Sequence, residues 1–303
     1  MQMNLYDIII IGGGPAGLTA AIYAGRANKK VLILEKGTFG GQITSSPKVE
    51  NIPGFMSVTG NEFAEKLIEQ AMGLDAEIEC CEALKIIKGN PHTVITDEGE
   101  YSAKAVIIAT GTKHRLLGLD REEDFIGEGI SFCAVCDGAF YEGKNVVVVG
   151  GGNSALQEAL LLSETSKSVT VVQNLDNFTG ERRLADLLMA KANVTVRFGC
   201  TVKGFVGEET LCGVEIVNAD AEEETILTDG VFVAIGLAPE NEPFAEIVTL
   251  DRGYISAEND MSTRTEGIFT AGDCRVKTVR QIATAVSDGA IAALSACEYL
   301  DRK

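Results

Sequence analysis

Cys133-Ala134-Val135-Cys136-Asp137 places two thiols three residues apart, with a carboxyl directly after the second. A pair at this spacing can cycle between dithiol and disulfide: a thiolate attacks, a mixed disulfide forms, and the second sulfur resolves it. Asp137 can exchange a proton with the thiol as the bond opens and closes. The other reading, half of a zinc site, lacks a second cysteine pair, and no metal site is expected. The remaining cysteines, Cys80, Cys81, Cys200, Cys212, Cys274 and Cys297, have no partner at motif spacing and read as small buried or incidental residues. Cys80 and Cys81 are adjacent, too close for ordinary disulfide geometry. His92 and His114 are the only histidines, so histidine-based nucleophilic catalysis has little to work with.

A dithiol needs an electron source, and two glycine-rich turns point to where nucleotides can bind. Asp7-Ile8-Ile9-Ile10-Ile11 is a continuous apolar run of the kind a buried parallel strand requires. Gly12-Gly13-Gly14-Pro15-Ala16-Gly17 follows, then a strong helix former from Leu18 onward. In this strand–turn–helix, Gly12 allows the tight turn, Gly14 lets the backbone approach a pyrophosphate, and Gly17 lets helix pack on strand. The positive end of the helix then faces the phosphates. The next strand, Val31 to Leu34, ends at Glu35, whose carboxylate is placed 23 residues after Gly12 to accept hydrogen bonds from a ribose. Ala105–Ile108 leads into Ala109-Thr110-Gly111, and Gly267–Ala271 into Gly272-Asp273; both read as buried strands ending in small-residue turns. Asp273 is placed to contact a flavin ribityl or phosphate group. The helical stretch from Gln281 to Ala290 can aim its N-terminus at the flavin.

The design then repeats. Asn145–Val149 is a second β-branched run, followed by Gly150-Gly151-Gly152-Asn153-Ser154-Ala155 and a helix. The following strand ends at Gln173, again 23 residues after the first glycine. The fold class expected is α/β, with two Rossmann-like (three-layer ββα) nucleotide-binding domains, the second inserted in the first. Because Gly272-Asp273 belongs with the first fold, residues 1–113 and 244–303 are expected to form a discontinuous FAD-binding domain. Residues 114–243 form the NAD(P)-binding-like insert that carries the dithiol, with crossovers near Lys113 and Pro243.

Bulk properties agree with a two-domain globular chain. It has 303 residues, 46% of them hydrophobic and 23% charged. A net charge of −18 argues against nucleic acid and anionic membrane surfaces as partners. No apolar run reaches the roughly 18–20 residues that span a bilayer. The start, Met1 to Asp7, runs into a strand without a basic region or cleavage site, so a cytoplasmic protein is expected.

Along its whole length the chain resembles the low-molecular-weight thioredoxin reductases. The resemblance is carried by Gly12-Gly13-Gly14-Pro15-Ala16-Gly17, Gly40-Gly41-Gln42, Glu50-Asn51-Ile52-Pro53-Gly54, Ala109-Thr110-Gly111, Ser131 to Gly138, Gly272-Asp273-Cys274 and Arg280-Gln281. It implies a homodimer with non-covalent FAD, reducing a thioredoxin-like protein, with the inserted domain swinging so that the dithiol meets flavin and partner in turn. By position it places Glu35 at the ribose and Gln42 and Asn51 near the isoalloxazine, with Lys36 and Gly41 also among the cofactor-binding residues. Asp273, Arg280, Gln281 and Ile282 complete the flavin site. Cys136 is the cysteine nearer the flavin.

The second fingerprint departs from the family pattern, which reads Gly-x-Gly-Asp-Ser-Ala and later has a His-Arg-Arg cluster followed by another arginine. Here Asn153 replaces the Asp, Gln157 replaces a usual Glu, and Gln173 to Thr179 stand where the arginines belong. Arg182 and Arg183 lie further on and read as solvated charges. Gly150, Gly152, Asn153 and Ala155 are therefore either a nicotinamide-nucleotide site, vestigial or working, or a preserved tight turn. One family subtype draws electrons from ferredoxin, and that donor is favoured over NAD(P)H, although a chain this acidic needs a local basic patch to dock an acidic ferredoxin. An NAD(P)H-dependent reductase, a flavin dithiol oxidase and a non-enzymatic redox sensor are the competing readings.

Overall fold

The computed structural model describes residues 5–46 and 49–302; Met1 to Asn4, the start read as leading into a strand, lie outside the described residues. Strand β1 (Leu5–Ile11) is followed by helix α1 (Pro15–Arg26), β2 (Val31–Glu35), α2 (Gly60–Met72) and β3 (Glu77–Cys80). Next come β4 (Ala83–Ile87), β5 (His92–Thr96), β6 (Glu100–Ile108) and the short β7 (Lys113–His114). In order β3-β2-β1-β6 these strands pair in parallel, and β5 and β4 continue from β6 as an antiparallel meander.

The inserted stretch opens with β8 (Ile130–Ser131) and a single-turn helix α3 (Ala134–Asp137). It continues through β9 (Asn145–Val149), α4 (Asn153–Ser163), β10 (Ser168–Gln173), α5 (Arg182–Met189) and β11 (Val194–Phe198). Strands β12 (Thr201–Gly207), β13 (Leu211–Val217) and β14 (Glu223–Leu227) form an antiparallel meander before β15 (Gly230–Val233). The parallel sheet here runs β11-β10-β9-β15-β8. After β16 (Leu237–Ala238), β17 (Leu250–Asp251) and β18 (Tyr254–Ile255), the chain adds β19 (Ile268–Thr270) beside β6 and ends in the long helix α6 (Ile282–Asp301).

Two compact units result: Met1–Lys113 with Ala238–Lys303, and His114–Leu237. Each is a mixed α/β fold with a parallel sheet, a meander and covering helices, in keeping with the fold class expected. The return crossing falls at Leu237–Ala238, ahead of Pro243. It does so because Asn241, although polar, is fully buried and bonded within the first unit.

The apolar strands are buried on both faces. In β1, Ile8 and Ile10 pack with the helices, while Ile9 and Ile11 pack on the other side with Val94, Val106 and Phe244. In β9, Val147 and Val149 face the meander and Val146 and Val148 face the helices. Each fully buried Ile or Val contributes on the order of 1.5–3 kcal/mol. Helix α1 meets α6 through small residues, Ala20, Ala21 and Ala24 against Ala292, Ala293 and Ala296. This approach is so close that a Cβ on Gly289 would lie 2.1 Å from the Ala16 carbonyl oxygen.

Candidate active site

The first glycine turn is open where a ligand would come and closed elsewhere. A Cβ on Gly12, whose φ is +113°, would stand 2.2 Å from the Ala109 carbonyl oxygen, and one on Gly17 would stand 1.9 Å from that of Gly12. By contrast, a Cβ on Gly14 would have only the Gly40 oxygen near it, at 3.9 Å. Pro15 is the first helical residue of α1, where its missing N–H costs nothing, and Ala16 and Gly17 are buried behind it. Glu35 accepts from the Gly13 amide at 2.6 Å and the Gly37 amide at 2.8 Å, which fixes its carboxylate beside the turn. The Lys36 ammonium is engaged elsewhere, with Glu240 at 2.8 Å and Glu82 at 3.1 Å.

Around this turn the same unit gathers the other expected residues. The Gln42 side-chain amide donates to the Thr112 carbonyl oxygen, just past Ala109-Thr110-Gly111, and Gly41 packs against Gly14. Asn51 donates to the Gln281 side chain at 3.2 Å. Gln281 caps α6 in a reciprocal arrangement with Thr284, and Ile282 packs with the cluster around Ile43 and Phe63. Arg280 reaches the Asp273 carbonyl oxygen at 3.4 Å and lies over the Tyr254 ring at 4.3 Å. Burial pushes the Asp273 carboxyl up, against the nearby Lys277 and Arg280, and its Oδ1 is buried without a hydrogen-bond partner. An open cradle at Gly14, a fixed carboxylate at Glu35 and an orphaned polar atom at Asp273 fit a dinucleotide flavin.

Sequence reasoning missed the groups that brace this site. Asn241 donates to the carbonyl oxygens of Gly253 and Cys274, and its own oxygen pairs with the Thr110 hydroxyl at 3.0 Å. Asp288 takes a two-pronged contact from Arg275 at 2.8 and 2.9 Å, another from Lys277 at 2.8 Å, and the Gly272 amide at 3.2 Å. Burial opposes charge on Asp288, but the bonds from Arg275 and Lys277 outweigh it and hold the carboxyl below its ordinary range.

In the inserted unit Cys133 and Cys136 are joined as a disulfide, with Cα atoms 5.3 Å apart. Cys133 is the N-cap of α3, and its sulfur accepts from the Cys136 amide at 3.2 Å. The Ser131 hydroxyl donates to Asp137 Oδ2 at 2.6 Å and accepts from the Cys133 amide at 3.2 Å. Burial raises the Asp137 carboxyl, and its Oδ1 is enclosed without a partner. His114 stacks on Phe132 with centroids 4.6 Å apart, and burial lowers it to about 4, so it is neutral here. Among the other cysteines Cys80 and Cys212 are exposed and the rest buried. The described residues contain no cluster of three or more His, Cys, Asp or Glu side chains able to hold a metal. None of the described helices is long and apolar enough to cross a membrane.

The second glycine turn is built like the first: as the Gly40 amide donates to the Gly13 carbonyl oxygen at 2.8 Å, a later stretch of chain bonds to Gly151. The amides of Thr179 and Gly180 donate to the Gly151 carbonyl oxygen at 2.9 and 3.0 Å, and the Thr179 hydroxyl reaches it at 3.3 Å. Asn153, in the first turn of α4, accepts from the Glu181 amide at 2.6 Å. Gln173 lies so close to the turn that a Cβ on Gly151 would meet its amide at 2.3 Å; that amide donates to the Asn177 carbonyl oxygen. Gly150 and Ala155 hold the strand-to-helix packing, with a Cβ on Gly150 falling 2.5 Å from the Ala234 oxygen. Arg182 stands nearly free in solvent, 3.9 Å from Asp186.

Residues 6–289 match the family model described as pyridine nucleotide-disulphide oxidoreductase. Thioredoxin reductase of Bacillus subtilis (strain 168) is 42% identical over 308 residues, covering 99% of this chain and 96% of that one. The chain belongs to the low-molecular-weight, FAD-containing thioredoxin reductase family. Thioredoxin reductase of Listeria monocytogenes is 39% identical, covering 99% of this chain and 95% of the other. The crystal structure of the Streptococcus pyogenes thioredoxin reductase superposes with a TM-score of 0.93 at 39% identity, covering 99% of both chains. This family member is an FAD-dependent oxidoreductase acting on a protein disulfide.

One further carboxyl lies beside the dithiol. Burial, then the charge of Asp137, raise Glu158 from 4.5 to about 8. Below the ordinary value both folded and unfolded chains hold this proton. As pH climbs from there to about 8 only the fold does, so stability is lost across that window. Glu158→Gln removes the penalty. Thermal unfolding should show the variant gaining on the parent between about pH 5 and pH 8.5, by about 2–4 °C for each kcal/mol relieved. A gap that stays constant with pH would contradict this.

Proposed function

We propose that this reductase takes its electrons from a one-electron donor of the ferredoxin kind and passes them by way of FAD and the Cys133–Cys136 disulfide to a thioredoxin-like protein. Gly12, Gly14, Pro15, Ala16, Gly17, Glu35, Gly41, Gln42, Asn51, Ala109 to Gly111, Gly272, Asp273 and Arg280 to Ile282 hold the cofactor. FAD, when bound, supplies a two-electron store that fills singly or in pairs. Cys133, whose sulfur already accepts the Cys136 amide, is the better stabilised thiolate and attacks the partner. Asp137 moves the proton. The working form is a homodimer, as the family resemblance implies, and the cytoplasm is its proposed place.

The observation that carries the donor assignment is the run from Gln173 to Thr179, which offers no arginine where a 2′-phosphate would sit. The cradle at Gly152 is open, a Cβ there meeting only the Thr179 hydroxyl at 3.9 Å, but the Glu181 carboxylate comes within 3.5 Å of the Asn153 side chain at the start of α4, on the side a pyrophosphate would approach. NADPH also needs charge-assisted bonds to its 2′-phosphate, each worth about 1.5–3 kcal/mol. Losing two of them costs on the order of 3–6 kcal/mol, or about two to four powers of ten in affinity. The competing reading, an NAD(P)H-dependent reductase, is favoured by the intact Gly150, Gly152 and Ala155 and by the family description.

Anaerobic bleaching of the flavin separates the two. Photoreduced ferredoxin should bleach it, while micromolar NADPH or NADH should not. Rapid, saturable bleaching by micromolar NADPH would overturn the assignment and mean that Arg182 or Arg183 swings onto the phosphate.

A further inference from the structure

The face of α4 that packs on α3 carries Ala155, Ala159 and Leu162, all buried with Ala134. These positions follow helical spacing, and Glu158 falls inside the same stripe, where the pattern calls for an apolar side chain. Its Oε2 is shut away from water with no hydrogen-bond partner, as is Oδ1 of Asp137. Among the described residues neither carboxyl has an ion-pair partner. The titratable groups on the α3 side are Cys133, Cys136 and Tyr141; burial, and then the charges of Asp137, Asp229 and Glu128, keep that tyrosine in its neutral form. Two enclosed carboxyls on the packed helices α3 and α4, both raised by burial and without a cation, do not both ionise; the two together hold one proton.

We propose that Glu158 is a positioning residue for the disulfide chemistry: with Asp137 it forms a pair holding one proton, which goes to the thiolate released when the Cys133–Cys136 bond opens. The proposal rests on the reading of this bond as the redox disulfide. Opening it takes two electrons and two protons and yields two thiols. The electrons come from the reductant, one proton from the carboxyl pair and the other from solvent, and the pair refills from water. In the reverse direction, as the Cys133–Cys136 bond re-forms and the partner's disulfide opens, the pair takes the proton of the resolving thiol while the partner's two thiolates take up theirs.

The test uses the flavin-loaded full chain and dithiothreitol as reductant, so it depends on neither the natural donor nor the protein partner. Rates of disulfide opening are read by alkylation across pH, as the ratio of Glu158→Gln to the parent. The alkaline limb should move down by about one pH unit or more in the variant, so the ratio falls about tenfold near pH 8 and returns to about one near pH 5.5. Glu158→Asp should recover part of the limb. Infrared difference spectra of the unmodified protein, oxidised minus reduced at neutral pH, should show a protonated-carboxyl band that Glu158→Gln removes or shifts. A ratio that is flat with pH, or the lack of that band in the unmodified protein, overturns the pair. Failure to reduce a thioredoxin disulfide would instead count against the underlying reading and leave these results standing.

Discussion

Serine at Cys133 or at Cys136 is expected to stop reduction of a thioredoxin disulfide completely while the protein stays yellow and its flavin still reducible. The substitution removes the only sulfur pair at bonding distance in the described residues and changes little else. Cys133 already serves as the N-cap of α3, and a serine hydroxyl fills that role at least as well, so the local fold is kept. In the proposed assignment flavin binding belongs to the other unit. Turnover with a protein disulfide and anaerobic flavin reduction, measured on the same preparation, give the comparison. Normal turnover in Cys136→Ser would remove the dithiol from the mechanism.

Gly14→Val is expected to give a folded, colourless chain. The backbone at Gly14 has φ −78°, which any residue adopts, and its Cβ would enter open space, so the fold has no quarrel with a side chain there. A pyrophosphate does, because that space is where it approaches the helix N-terminus. Flavin content should drop from one per chain to near none, with the circular dichroism unchanged. Gly12→Ala behaves differently, since its Cβ would collide with the Ala109 carbonyl oxygen at 2.2 Å and misfolding is the expected result. Gly152→Val serves as the control and should keep its colour, its turn lying in the inserted unit. A yellow Gly14→Val would break the assignment of the first turn to FAD.

What could be read from sequence was local. Strand, glycine turn and helix follow one another within about 25 residues at both fingerprints, and Gln281 caps α6 at the edge of the helical pattern. The dithiol and Asp137 are contiguous. The remainder depends on partners distant in sequence. Asn241 is one polar residue in a stretch of Pro and Glu, and only the fold brings Thr110, Gly253 and Cys274 to it. Asp288 is a single polar position in a helical stretch, and only the fold brings Arg275 and Lys277 to it. Glu158 left a trace, a charge inside an apolar stripe, but a single exception to a pattern does not say what it faces. The missing arginines were visible after Gln173; that residues 177–181 fold back on the turn was not, because the bonds are made largely by backbone amides, which have no sequence signature.

The Arg115 amide bonds to the Gly236 carbonyl oxygen at 3.0 Å, so the inserted unit begins and ends at nearly one point. This bears on the order in which the chain assembles. Strand β6 must wait for β19, and α1 for α6, until nearly all of the polypeptide has left the ribosome. Left unfolded, the stretch from His114 to Leu237 would be a long loop to close, and the entropy of closure grows with the logarithm of its length. Once folded, with its ends held together, it counts as a connection of only a few residues. Insert first, host second is therefore the economical route during synthesis, and loss of the Arg115–Gly236 bond at the insert's neck would delay the host half more than the half that carries the dithiol.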